Sequence, residues 1–335
     1  MTGELVPVDH AALDAATVGK LSDGIPEATR RAYAAGRADW MTWCQTSGKD
    51  SYPVHPETLA RYTTFLLDHG TYIADPRRPL SVASVEQRLS AISTGSVEAG
   101  WGKPDMRPAR LVIKGHKRQR LVKQKEAAPI TVAVLRALVA QAMSQTKNGN
   151  HTLRAHRDRC LILLGFATMA RRSELVRIPI EGLADHPEGM TVQVLRTKTD
   201  DDWRTVRVLY GAQPELCPVR ATRAYKAALA TLGVTTGPLM RAVDRWDKPR
   251  KSLTGESVAE RLRDLAVEAG VEVPDGFGQW SGHSLRRGAA TEARRHGADR
   301  VSVADNGGWS RSSRSLDRYF ADVDGWEQHP LKGVL

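Results

Sequence analysis

The stretch SGHSLRRGAA, residues 281–290, sets His283 and Arg286 three residues apart. On a helix that spacing puts the two side chains one turn apart on one face. An imidazole exchanges a proton near neutral pH, and a guanidinium presents a planar fork that matches phosphate oxygens. The pair is suited to handling a phosphate group. Four further segments carry groups of related chemistry: ARRSELVRI (170–178) with Arg171 and Glu174, RTK (196–198) with Lys198, GGW (307–309) with Trp309, and DRYF (317–320) with Tyr319. Each alone has an ordinary structural explanation. Arg171 can be a helix C-terminal cation, Glu174 a surface acid, Lys198 a turn lysine, Trp309 a core aromatic and Tyr319 a packing tyrosine.

For these groups to converge, the chain must hold them on rigid elements. Ser281 and Gly282 can cap a helix in which Leu285, Ala289, Ala290 and Ala293 recur at helical spacing. CLILLGFATMA (160–170) reads as a buried helix running from Arg157 to Ala170, with Arg171 at its end. MTVQVL (190–195) and WRTVRVLY (203–210) are β-rich and flank a polar turn, which predicts a hairpin with Lys198 at its tip. Further helices are expected over 131–145, 218–232, 256–269, 281–296, 300–306 and 312–320. This part of the chain is therefore mostly α with one small sheet.

Ahead of it lies a smaller, all-helical block of four or five helices. Pro26 suits a first helical turn, followed by the stripe Tyr33, Trp40, Met41, Trp43 and Cys44. Pro56 opens a second helix bearing Leu59, Tyr62, Phe65 and Leu66, stopped by Gly70; Ser81 starts a third with Val85, Leu89 and Ile92; a fourth is expected near 106–119. Residues 1–24 read as a leader, and 123–129 as a linker between a domain over 25–122 and one over 130–335.

Composition narrows the partner. The net charge is +11 over 335 residues, which points to a polyanion, and nucleic acid fits better than membrane because no basic amphipathic helix stands at either end. From Arg107 to Lys125 eight Arg or Lys occur without one Asp or Glu, a run suited to phosphate contacts. Cys44, Cys160 and Cys217 are widely spaced, which predicts neither a disulfide framework nor a zinc site and suits a reducing cytosol. No signal peptide and no bilayer-spanning run is expected. Neither a phosphate-binding glycine loop nor a two-metal acidic cluster occurs, so no metal or cofactor is expected.

In order and local sequence the set Arg171, Lys198, His283–Arg286, Trp309 and Tyr319 resembles the tyrosine recombinases, the phage integrase family. The R-x-S-E register selects Arg171 over Arg172, and the His-x-x-Arg spacing selects Arg286 over Arg287. Five separate matches in order outweigh the ordinary explanation of any one. The resemblance implies a mainly α, two-domain C-shaped clamp, with an N-terminal helical core-binding (SAM-like) domain and a mostly α catalytic domain with a small antiparallel sheet. It implies site-specific recombination of double-stranded DNA carrying inverted repeats, through a 3′-phosphotyrosine and a Holliday junction, by a homotetramer on two sites, without metal or ATP.

On that resemblance Tyr319 is the nucleophile, Arg171 and Arg286 neutralise the phosphate, and His283 takes the tyrosine proton or binds the phosphate. Lys198 protonates the leaving oxygen, Trp309 donates its indole N–H or packs on the nucleophile helix, and Glu174 orients a cation. DNA contacts are expected from Arg31, Lys114, Lys117, Arg118, Arg120, Arg241, Arg245, Lys248 and Arg250. The apolar tail residues Trp326, Leu331, Val334 and Leu335 are expected to dock on a neighbouring subunit. The short leader is expected to leave no room for an additional arm-binding domain. An accessory-dependent integrase, a type IB topoisomerase or a telomere resolvase would use the same chemistry for another task; a non-enzymatic DNA-binding protein would not need the full set.

Overall fold

The structure, a computed structural model, describes residues 24–25, 27–74, 78–120, 125–195, 202–327, 329 and 331–334, apart from the side chains of 322, 326 and 327. The leader before residue 24, the expected helix-opening Pro26, Lys123 of the basic run, Lys198, the Trp326 side chain and Leu335 lie outside the described residues. The chain divides into two compact units, residues 1–123 and 124–335, each with its own core.

The first unit holds four helices among its described residues: α1 (Glu27–Thr46), α2 (Pro56–Asp68), α3 (Val82–Glu98) and α4 (Arg107–Gln119). An aromatic cluster is its centre. Tyr62 of α2 lies 5.1 Å from Trp40 and 5.2 Å from Trp43 of α1, ring centroid to centroid. Leu59, Leu66, Val85, Leu89 and Ile92 complete the core at the expected positions. Met41, expected in the same stripe, is 51% exposed. One residue of helix is a turn of about 100°, so with Trp40 inward Met41 points away. The buried carboxylate of Asp39 takes that inner face instead, accepting from Tyr62 Oη at 2.6 Å and Ile73 N at 3.0 Å. Gly70 ends α2 with φ +90°, and a Cβ there would lie 1.9 Å from the Arg78 carbonyl oxygen. Only glycine fits that close approach.

The second unit begins with α5 (Val132–Met143), a small hairpin of β1 (Thr146–Lys147) and β2 (Asn150–His151), and α6 (Leu153–Thr168). Cys160 to Leu164 of α6 are all buried, so over this stretch the helix is apolar all round and forms the centre of the core. After the one-turn helix α7 (Arg172–Leu175) comes an antiparallel sheet of β3 (Leu183–His186), β4 (Gly189–Leu195) and β5 (Trp203–Leu209). The expected hairpin is β4–β5, with Val192 opposite Val206 and Leu195 opposite Trp203. Strand β3 was not legible, since LADH has no apolar alternation and acquires strand form by pairing at the sheet edge. Then follow α8 (Pro218–Ala230), a hairpin of β6 (Arg241–Val243) and β7 (Pro249–Ser252), α9 (Gly255–Glu268), α10 (Gly282–Arg295), α11 (Arg300–Gly307) and α12 (Arg314–Glu327). The last helix runs beyond the expected 320, and Leu331 and Val334 after it are exposed.

Cys44, Cys160 and Cys217 are free and buried, and burial pushes the Cys44 and Cys160 thiols up to about 12. Among the described residues no helix is long and apolar enough to cross a membrane.

Residues 125–129, expected as part of a linker, instead bond into the second unit. Gly278 N donates to Glu126 O at 2.7 Å, Ala127 bridges Gly278, and Ile130 N donates to Ser284 O at 3.1 Å. This strap crosses α10 at Gly288, where a Cβ would lie 2.0 Å from the Ile130 carbonyl oxygen. Overpacking against backbone is costly because neither chain can swing aside. Gly288→Ala is therefore expected to destabilise the protein by about 3 kcal/mol, read as a lower urea midpoint at unchanged m-value.

Candidate active site

Helix α10 starts as its sequence requires. Ser281 caps it, accepting from His283 N at 3.2 Å, while Ser284 Oγ accepts from Ser281 N at 3.0 Å. This places His283 exposed in the first turn and Arg286 one turn further in, almost wholly buried. His283 and Arg286 line one cavity of about 430 Å³ together with Arg171, Trp309 and Tyr319. Five of the six expected catalytic residues thus converge; the sixth, Lys198, lies outside the described residues.

Arg286 is the most constrained of them. Its Nη1 donates to Gly307 O at 2.7 Å and to Met169 O. Its Nη2 is buried and has no hydrogen-bond partner among the described residues. The guanidinium carbon lies 3.5 Å from the centre of the Trp309 ring, a close cation–π stack. Burial first, and then the neighbouring Arg171 charge, push its proton affinity down to about 9. It remains a cation at neutral pH, short of an anionic partner.

The local backbone is shaped for this stack. Gly307 lies under the Trp309 ring, where a Cβ would come within 2.0 Å of the ring carbons. Gly308 ends α11 at φ +68°. Trp309 meets Tyr319 edge to face at 6.1 Å and 78°, so the indole packs between Arg286 and the tyrosine. Tyr319 stands half-buried on α12, which is seated on α10 by Leu316 and Phe320 against Ala289 and Ala290.

Arg171 lies two residues beyond the left-handed Met169 that ends α6, at the N-cap of the separate helix α7. The sequence suggested the end of the buried helix itself. Glu174, fully buried, holds it: Oε1 accepts from Arg171 Nη1 at 2.5 Å and Oε2 from Arg171 N at 2.9 Å. Arg172 faces elsewhere, toward Glu256 at 3.4 Å.

Two arginines of the site escaped the sequence reading. Arg204 on β5 reaches Glu174 at 3.8 Å and donates to the Thr168 carbonyl at 3.2 Å and to that of Asn306. Strand alternation carried a signal, because Arg204 shares the buried face with Val206 and Val208. Arg287, passed over in favour of Arg286, is also buried and lines the same cavity, pairing with Glu126. Among the described residues no cluster of His, Cys, Asp and Glu is placed to hold a metal ion.

The nine residues expected to contact DNA are spread outside this cavity. Lys114 and Lys117 line a groove of about 390 Å³ on the first unit with Arg110, and Arg118 and Arg120 are exposed nearby on the chain. Arg241, Arg245, Lys248 and Arg250 belong to the β6–β7 hairpin. Several already have partners: Arg31 meets Glu27 at 3.6 Å, Lys117 meets Glu86 at 3.2 Å and Arg250 meets Asp244 at 2.6 Å. Arg245 stacks on Trp246 at 4.0 Å, and Arg241 donates to Thr236 O at 2.8 Å. Exposed pairs of this kind contribute little and can be exchanged for phosphate.

The chain is similar to known proteins. Residues 133–324 match the profile described as the phage integrase family. The chain is 31% identical over 284 residues to an "Integrase/recombinase xerD homolog" of Selenomonas ruminantium, covering 82% of this chain and 76% of that protein. It is 25% identical over 300 residues to "Recombinase cre" of Escherichia phage P1, covering 85% and 81%. Its fold is similar to that of a lambda integrase tetramer crystallised on a Holliday junction, at TM-score 0.59 and 13% identity, over 90% of this chain and 74% of that one. With the family profile spanning more than half its length, the chain belongs to the phage integrase family, the tyrosine recombinases.

Proposed function

We propose that this tyrosine recombinase cuts and rejoins double-stranded DNA at inverted-repeat sites, with Tyr319 as nucleophile. The observation that carries the reading is the buried, unpartnered Nη2 of Arg286 in a cavity that Tyr319 and Arg171 also line. A buried guanidinium N–H without an acceptor is costly, and a non-bridging phosphate oxygen would satisfy it.

Tyr319 Oη forms a bond to phosphorus as the bond from phosphorus to the 5′ oxygen breaks, leaving a 3′-phosphotyrosine and a free 5′-OH. A phenol of ordinary pKa near 10 is mostly neutral at pH 7, so its proton must go to a neighbouring base. His283, exposed at the mouth of the helix, takes that role or binds the phosphate. Arg171 and Arg286 oppose the charge that grows on the phosphorane oxygens, each already held by partners within the fold. Glu174 aims Arg171. Trp309 stacks on the Arg286 guanidinium and packs edge to face with Tyr319. Lys198 supplies the proton to the leaving 5′ oxygen.

The phosphotyrosine stores the bond, so the 5′-OH of a partner strand can attack it and reseal the DNA with no energy input. Exchange then proceeds through a Holliday junction, in a homotetramer on two sites. The tetramer is supported by the likeness to proteins solved in that assembly. Arg31, Lys114, Lys117, Arg118 and Arg120 in the first unit, and Arg241, Arg245, Lys248 and Arg250 in the second, supply phosphate contacts. With DNA as partner, the place of action is the cytoplasm at the nucleoid.

On a nicked suicide duplex carrying a site selected from a random-sequence pool, Tyr319→Phe is expected to give no covalent adduct while the Kd stays within about twofold, since one hydroxyl adds little to a phosphate-dominated affinity. An adduct at the wild-type level would remove Tyr319 as nucleophile. Lys198→Ala is expected to slow cleavage by about 10²- to 10⁴-fold, and a 5′-phosphorothiolate leaving group, which needs no proton, is expected to restore it; failure of that rescue would remove the general-acid role. Binding is expected to weaken roughly 10³-fold between about 50 and 200 mM salt if about six phosphates are contacted, measured by fluorescence anisotropy; a flat response would contradict phosphate-dominated recognition.

A further inference from the structure

The chain between α11 and α12, residues 308–313, carries Trp309 and leads into the helix of Tyr319, so the approach of these two residues depends on how it is held. One guanidinium fastens it. Arg300, in the first turn of α11, donates through Nη1 to Arg311 O and through Nη2 to Ser313 O at 3.3 Å. The same group reaches Asp317 in the first turn of α12, with Nε and Nη2 at 3.0 and 2.7 Å from Oδ1. The loop, the start of α11 and the start of α12 thus meet at one side chain. Asp317 itself stands just ahead of Tyr319 in the sequence.

Magnitudes separate these contacts. The Asp317 side chain is 56% exposed, so its ion pair with Arg300 contributes little. Hydrogen bonds from a charged donor to main-chain carbonyls are stronger, and they hold backbone that no side-chain rotation can release. Among the described residues a second charged tie on the loop, Arg311 to Asp305 at 3.6 Å, joins two exposed side chains and is weak. The body of α12 does not depend on Arg300, because Leu316 and Phe320 are buried in one cluster with Ala289 and Ala290 of α10. What Arg300 controls is the loop and the first turn, and with them the way the Tyr319 ring meets Trp309. A reacting group misplaced by about 1 Å can cost orders of magnitude in rate. We propose that Arg300 is a positioning residue for the nucleophile: it closes the loop onto the start of α11 and so sets where Tyr319 stands. This rests on Tyr319 being the nucleophile.

The test uses the full-length protein and the nicked suicide duplex, with single-turnover cleavage at saturating protein and Kd measured in parallel. Arg300→Ala leaves the cap of α11 in place, since the Asp299 carboxylate accepts from Val301 N at 2.8 Å and Ser302 N at 3.0 Å. It is expected to lower the cleavage rate constant about tenfold or more, with the full amplitude reached and Kd unchanged within about twofold. Asp317→Asn is expected to cleave within about twofold of wild type, because only the exposed pair loses its charge. A wild-type rate constant for Arg300→Ala would overturn the proposal. So would a loss of amplitude at the wild-type rate constant, or a loss of binding in proportion to the loss of cleavage, since either marks a purely structural role. Cleavage by Asp317→Asn as slow as by Arg300→Ala would overturn the route through the loop carbonyls. These outcomes are distinct from failure of the nucleophile assignment, which shows as an adduct formed by Tyr319→Phe.

Discussion

Guanidinium groups held close together are the constraint on which the second unit depends. Arg286, Arg204 and Arg287 are buried, and Arg171 is partly so. Like charges at this separation repel, and each has lost most of its water. Glu174 and Glu126 offset part of the charge, and backbone carbonyls of Met169, Gly307, Thr168 and Asn306 take several of the donors. Among the described residues the buried Nη2 of Arg286 is left without a hydrogen-bond partner, in a side chain that lines the cavity. A site so built offers an anion a partner that the fold has already put in place.

Much of the surrounding architecture reads as a consequence. Met169 adopts a left-handed backbone so that the chain turns out of α6 and offers its carbonyl to Arg286. Gly307 removes a side chain so that Trp309 can lie over that same guanidinium. Gly288 removes another so that the strap can cross α10 and deliver Glu126. Helix α12 then rests on α10 through small residues, Ala289 and Ala290, which lets Tyr319 reach the edge of Trp309. Both glycines are set by close approach.

The separation of the two cores follows a different logic. The first unit is held by three aromatic rings and a buried Asp39 carboxylate, a cluster that needs nothing from the second unit. Its basic helix α4 buries only Ala109 and Ile113 and leaves its cations exposed. The second unit packs α6 through the middle and carries every described residue of the cavity. The exposed basic helix and the arginine-lined cavity thus belong to units with separate cores.

Local sequence determined most of the helices, the β4–β5 hairpin and the cap at Ser281, and it singled out the five residues that the fold brings to one cavity. Each is decided within a few residues: apolar spacing sets a helix face, a serine hydroxyl caps the turn that follows it, and His-x-x-Arg can only point one way along a helix. Tertiary structure alone decided which charges compensate which. Arg204 and Glu174 are thirty residues apart, and Arg287 and Glu126 far more, so no local spacing joins them. The same holds for β3, a strand only because β4 lies beside it, and for residues 125–129, whose polar, linker-like composition conceals a strap fixed by Gly278 and Ser284. A buried charge has no local signature; its partner is whichever opposite charge the fold brings within reach.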